Sequence, residues 1–128
     1  MKILLDTHLL LWAAGEVNQL SKEALDFITN DENELFFSAA SLWEMAIKHS
    51  LGRPDFQVDL KMLRRGLLHN GYEELPINSE HTLMVLSLPA IHKDPFDRIL
   101  VAQATVEGLL LLTSDELITK YPGPIRKV

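Results

Sequence analysis

Four carboxylates are spaced along the chain where they could share a divalent cation: Asp6, Glu44, Asp97 and Asp115. Asp6 follows the apolar run Ile3-Leu4-Leu5 directly and precedes Leu9-Leu10-Leu11-Trp12, with no Lys or Arg among its immediate neighbours. A carboxylate in such surroundings is costly unless a partner meets it. Asp115 follows the apolar run Leu109 to Leu112 after only Thr113 and Ser114. Two carboxylates about 5 Å apart, at an effective dielectric of about 20, repel by roughly 3 kcal/mol, so a cluster of three or four calls for a cation. Oxygen donors suit Mg2+ or Mn2+, which keep several waters and share other positions with substrate phosphate. The chemistry that follows is metal-assisted phosphodiester hydrolysis, in which water attacks phosphorus in line and leaves a 5′-phosphate and a 3′-hydroxyl. Taken singly, several of these acids also have structural roles open to them. Asp94 and Asp97 can cap a helix, Glu44 can pair with Lys48 at i,i+4, and Asp115 can cap the segment Glu116 to Tyr121.

The elements that must position these acids are short apolar runs alternating with helix-period segments. Strands are expected at Ile3 to Leu5, Leu35 to Ser38, Tyr72 to Leu75, Leu109 to Leu112 and Ile125 to Val128. Between them fall helices at His8 to Ala14, stopped by Gly15, and after Ser21 as N-cap, with Leu20 as its staple. A helix from about Ser41 to Leu51 is closed by Gly52 with Pro54 beyond, and it puts Glu44 in its first turn. Asp59 caps a helix that runs to the break at Asn70-Gly71, and Ser79 to Leu88 forms another that ends at Pro89. Asp94-Pro95-Phe96-Asp97 is a helix start with Asp94 as N-cap and Pro95 at N1, running to Gly108. The expected fold is a three-layer α/β/α sandwich with a central parallel sheet. In such sheets ligands gather beyond the carboxyl ends of the strands, where strand order reverses, which is where Asp6 and Asp115 belong.

Composition agrees. At 128 residues, 47% hydrophobic and 23% charged, the chain reads as one globular domain spanning 1–128. There are no cysteines, which excludes disulfides, thiolate zinc sites and thiol catalysis. Asp6 and His8 interrupt the opening apolar run before a signal-peptide core can build, and no segment is long enough to span a bilayer, so a cytoplasmic protein is expected. The net charge of −6 opposes simple electrostatic docking on a polyanion, unless the negative charge is concentrated in a metal site. Lys61, Arg64 and Arg65, with Arg53 nearby, could supply a basic strip, although a solvated helix face explains them as well. The six glycines are scattered and make no phosphate loop.

The segments Ile3-Leu4-Leu5-Asp6-Thr7-His8 with Leu10-Leu11-Trp12, Ser38-Ala39-Ala40-Ser41-Leu42-Trp43-Glu44-Met45-Ala46-Ile47-Lys48, His92 to Ala104 and Leu112-Thr113-Ser114-Asp115 follow in an order and spacing that extend over nearly the whole chain. In these segments the sequence resembles the PIN-domain nucleases, in particular the VapC-like toxins of bacterial and archaeal toxin–antitoxin pairs. The resemblance implies an RNA substrate and an acidic pocket of Asp6, Glu44, Asp97 and Asp115, with Thr7 and Ser114 as supporting hydroxyls. It also implies a homodimer and a small antitoxin partner whose tail lies across the site. Asp94 departs from the pattern as an extra acid and is read as the N-cap; Glu116 is read as a neighbour of the site.

Other readings of the same residues remain open. His8 and His92 could run metal-free cleavage through the 2′-hydroxyl. Trp12 and Trp43 could stack on bases, though tryptophans among leucines at helical spacing fit a core or a dimer interface. A receiver domain would want paired acids after the first strand and a Lys where Asp115 stands. A haloacid-dehalogenase-type phosphatase would need Asp where His8 stands, and that reading fails. A PIN-like RNA- or protein-binding module without catalysis, or a structure-specific deoxyribonuclease, would share the acid pattern.

Overall fold

The computed structural model describes residues 1–53 and 57–128, so the expected helix stop at Pro54 lies outside the described residues. Five strands, β1 (Lys2–Leu5), β2 (Glu34–Ser38), β3 (Glu73–Leu75), β4 (Leu110–Thr113) and β5 (Ile125–Lys127), form one sheet in the order β3-β2-β1-β4-β5. Every pairing is parallel. Among the described residues six α-helices accompany them: α1 (Thr7–Gly15), α2 (Lys22–Thr29), α3 (Ala39–Ser50), α4 (Leu60–His69), α5 (Ser79–Met84) and α6 (Pro95–Glu107).

Strands buried on both faces must be apolar throughout, and Ile3, Leu4, Leu5, Leu111 and Leu112 are all fully buried. Side-chain alternation splits them between two cores. Ile3, Leu5, Phe37 and Leu112 pack with Leu9, Leu10, Ala24, Met45 and Leu67 from α1 to α4. Leu4, Phe36 and Leu111 pack on the other face with Leu100, Val101 and Ala104 of α6 and with Ile118 and Tyr121. The sheet is therefore covered on both sides, as three layers. From β1 the strand order runs outward both ways, so its reversal falls between β1 and β4. Leu5 stands opposite Leu112 there, which brings the chain after β1 alongside the chain after β4.

Local chemistry sets the helix ends. Ser21, Asp59 and Asp94 cap α2, α4 and α6 through their side chains, as their positions predict. Gly108 ends α6 in the left-handed conformation at φ 68°, which suits a residue without Cβ. Two elements differ from expectation. Helix α3 starts at Ala39, because the Ser38 hydroxyl caps it by accepting from Ala40 N at 3.0 Å, so Glu44 lies in its second turn. Helix α5 ends at Met84 and tightens into a 3-10 turn over Val85–Ser87. The Val85 carbonyl there accepts from the Arg98 guanidinium at 3.2 Å.

A buried polar bond ties α3 to α6. Ser38 Oγ donates to Gln103 Oε1 at 2.6 Å, and both residues are fully buried. Replacing Ser38 with Ala removes the cap and strands the Gln103 oxygen, at an expected cost of about 1–3 kcal/mol. Urea unfolding at constant m-value measures it; an unchanged midpoint would contradict this account.

Candidate active site

Asp6 is the single residue between β1 and α1, and it is 3% exposed. Its carboxylate has partners that its sequence neighbours do not reveal. Oδ1 accepts from Leu9 N at 2.9 Å, which makes Asp6 the N-cap of α1. Oδ2 accepts from Thr113 Oγ1 at 2.5 Å. Burial raises its pKa above the ordinary value, and these two bonds oppose the rise. Thr113 also accepts from Asp115 N at 3.0 Å, so one buried hydroxyl ties Asp6 to the loop that carries Asp115.

Asp97 occupies the third position of α6, where Asp94 takes the cap by accepting from Phe96 N and Asp97 N at 2.8 and 3.3 Å. The helix N-terminus favours an anion, yet the Asp97 pKa is pushed up to about 7. Burial is the largest cause, followed by repulsion from Asp94, Glu44, Asp6 and Asp115. The other three acids singled out in the sequence thus all act on Asp97, with Asp94 as a fourth. Glu44 Oε2 pairs with Lys48 at 3.3 Å across one turn of α3. Glu44 Oε1 is buried with no hydrogen-bond partner.

Asp115 Oδ1 accepts from Leu117 N at 2.8 Å and so caps the turn that follows. Its other oxygen, Oδ2, lies 3.8 Å from His92 Nε2, and the same nitrogen lies 3.0 Å from Asp97 Oδ2. His92, Asp97 and Asp115 each offer a ligand atom within 4.8 Å of the others, the one such group among the described residues. Asp6 and Glu44 stand outside that tight group but close enough for their charge to reach Asp97. Thr7 Oγ1 donates to Ser41 Oγ at 2.9 Å, joining α1 to α3. Ser114 is half-buried between Thr113 and Asp115. Glu116 is exposed and pairs with Lys127.

Two residues of this site escape a reading of the sequence. Thr113 is the hydroxyl bonded to Asp6, whereas Thr7 and Ser114 are the ones the family pattern points to. His92 is legible only as a proton-transfer candidate, although it turns onto two of the acids; His8 is exposed beside Trp12. Trp12 packs against the core, but Trp43 is 60% exposed, edge-on to Phe96 at 5.1 Å. Lys61, Arg64 and Arg65 lie on an exposed face of α4, with Arg64 clasping Glu74 at 2.7 and 3.1 Å.

The donor set fits a divalent cation. It holds several carboxylates, an imidazole and the unpartnered buried oxygen of Glu44, and it gathers more negative charge than its own cations neutralise. A parallel, doubly covered sheet with acids at its switch point defines a class of open α/β domain whose business is at the carboxyl rim. Within that class, the chain belongs to the PIN domain family, which it matches over residues 3–124. No curated protein matches it in sequence. Among solved structures it is similar to a chain of VapBC2 from Rickettsia felis bound to a DNA fragment from their promoter, with 15% identity and a TM-score of 0.72. It is also similar to chains of DNA-bound VapBC from Salmonella typhimurium (16%, 0.68) and of VapBC-1 from nontypeable Haemophilus influenzae (17%, 0.62). Each match covers 99% of this chain and 98% of the other. At these identities the likeness concerns the fold.

The Asp97 shift has a consequence for stability. The unfolded chain releases this proton near 3.8 and the folded chain near 7, so between these the folded state holds more protons and stability falls as pH rises. In metal-free protein, Asp97→Asn is expected to gain stability over the parent progressively from about pH 4 to 7, and by a constant amount above. Urea midpoints of the two proteins across pH check this; a difference that does not vary with pH would contradict it.

Proposed function

We propose that this protein is a Mg2+- or Mn2+-dependent endoribonuclease and the toxin of a toxin–antitoxin pair. It acts in the cytoplasm as a homodimer of single nuclease domains and is held in check by a small antitoxin. The observation that carries this reading is the convergence of Asp6, Glu44, Asp94 and Asp115 on Asp97, whose carboxyl stays protonated to about pH 7 without a cation. A bound divalent ion would offset the repulsion that these acids exert on Asp97 and would supply the Lewis acidity that phosphodiester hydrolysis requires.

Asp6, Glu44, Asp97 and Asp115 are the residues assigned to hold that ion. Asp6 is presented rigidly, since α1 and Thr113 each fix one of its oxygens. Glu44 keeps one oxygen on Lys48 and directs the other into the buried space. Lys48 then stands at the edge of the pocket, where its ammonium can meet a phosphate oxygen. Thr7 holds α1 against α3 through Ser41, Thr113 holds the Asp115 backbone, and Ser114 beside Asp115 is assigned as a further supporting hydroxyl. The sheet thereby orients the acids, and the acids orient the scissile phosphate and the attacking water.

Membership of the PIN domain family and the VapBC neighbours support the nuclease and the antitoxin parts of this reading. An acid-lined pocket also attracts an arginine, which gives inhibition by a partner's tail a physical basis. Among the described residues no helix is long and apolar enough to cross a membrane.

The direct test incubates purified protein with a total RNA pool, with and without Mg2+, beside an Asp6→Asn variant. Cutting is expected with the ion, is lost in excess EDTA, and falls at least about 100-fold in the variant, while circular dichroism shows the fold kept. Cutting that persists in EDTA, or full activity of the variant, would overturn the assignment. A substrate with a 2′-deoxy sugar at the scissile position should still be cut, since only the histidine route needs that hydroxyl.

A further inference from the structure

Resting on the nuclease reading above, we infer that His92 is a ligand of the divalent ion, which makes the site a mixed nitrogen and oxygen site that takes Mn2+ in preference to Mg2+. The sequence pattern assigns only oxygen donors; the geometry adds the imidazole.

His92 Nε2 lies 3.0 Å from Asp97 Oδ2. Adjacent donors around a six-coordinate ion, each about 2.1 Å from it, are about 3 Å apart, so the two atoms already have the spacing of neighbouring ligands. Asp115 Oδ2 is 3.8 Å from the same nitrogen, on a half-exposed loop side chain that can close the remaining gap. The three ligand atoms lie within 4.8 Å of one another. Glu44, whose charge also reaches Asp97, keeps Oε1 buried without a partner on a residue only 9% exposed, a second sign, apart from the His92 geometry, that a cation belongs here.

The imidazole is also held ready. The His92 backbone is clamped by Tyr121, whose hydroxyl accepts from His92 N at 2.8 Å and donates to His92 O at 3.1 Å. Arg98 fixes that hydroxyl in turn, donating to it at 3.1 Å while it also binds the carbonyls of Pro89 and Val85. Tyr121 is 4% exposed, so the clamp is part of the core. Nδ1 accepts from Asp94 N at 3.4 Å, the outer limit of a hydrogen bond. Coordination through Nε2 replaces its 3.0 Å contact with Asp97 Oδ2 by bonds from both groups to the ion, and moves the ring proton to Nδ1 at the loss of the long contact from Asp94 N. The Tyr121 clamp thus fixes the backbone from which the ring projects toward Asp97 and Asp115.

The consequence is selectivity. Mg2+ takes oxygen ligands and keeps its waters, whereas an imidazole nitrogen favours first-row transition ions. With the full-length protein, calorimetric titration should give Mn2+ at least about a 10-fold tighter Kd than Mg2+. In His92→Ala the Mn2+ affinity should fall about 10-fold or more, while the Mg2+ affinity changes less than about 3-fold. Pulsed electron paramagnetic resonance on the unmodified protein gives a second readout that needs no variant, because a directly bound imidazole splits the Mn2+ signal through its 14N nucleus. Nitrogen coupling together with the selective loss supports the assignment. Mn2+ that binds without nitrogen coupling, or an unchanged Mn2+/Mg2+ ratio in the variant, overturns it and leaves the nuclease reading standing. Failure of both ions to bind at millimolar concentration overturns both.

Discussion

Mutual repulsion among buried carboxylates is the constraint around which this molecule is arranged. Asp97 stands where burial and four acidic neighbours all disfavour its charge, and its pKa of about 7 measures how far they win over the favourable end of α6. A fold gains nothing in stability from such a cluster. At the switch point both Asp6 oxygens are fixed and one Glu44 oxygen is orphaned, an arrangement that suits a positively charged ligand.

The rest of the structure follows from holding those groups together. Pairing of β1 with β4 in the Leu5–Leu112 register places Asp6 beside Thr113, and Thr113 carries the contact on to the Asp115 backbone. The Ser38–Gln103 bond locks α3 against α6, so that the helices bearing Glu44 and Asp97 keep a fixed relation. Two apolar cores, one on each face of the sheet, supply the stability that offsets the electrostatic cost at the rim. Stability is therefore linked to pH, and a cation held by these acids would also relieve the repulsion they impose.

Much of this was legible because the signals are local. Runs such as Ile3-Leu4-Leu5 can only be strands buried on both faces, and Ser21, Asp59, Asp94 and Gly108 mark helix ends by chemistry that acts over a few residues. The acids stood out because they follow strands. What stayed hidden depends on distant pairings. Thr113 reaches Asp6 across 107 residues of chain, and Tyr121 clamps His92 from 29 residues away. The early start of α3 depends on Ser38, whose second partner lies 65 residues on. Asp6 seemed to lack partners in sequence, and its cap bond to Leu9 shows that part of its satisfaction was local after all.

Diffraction from crystals soaked in Mn2+, recorded at the manganese absorption edge, tests the central claim most directly. The account predicts an anomalous peak in the pocket, about 2.2 Å from carboxylate oxygens of Asp97 and Asp115, with Asp6 and Glu44 bound to it directly or through water. A saturating soak that leaves the pocket without a peak, or that places the ion elsewhere on the surface, would contradict it.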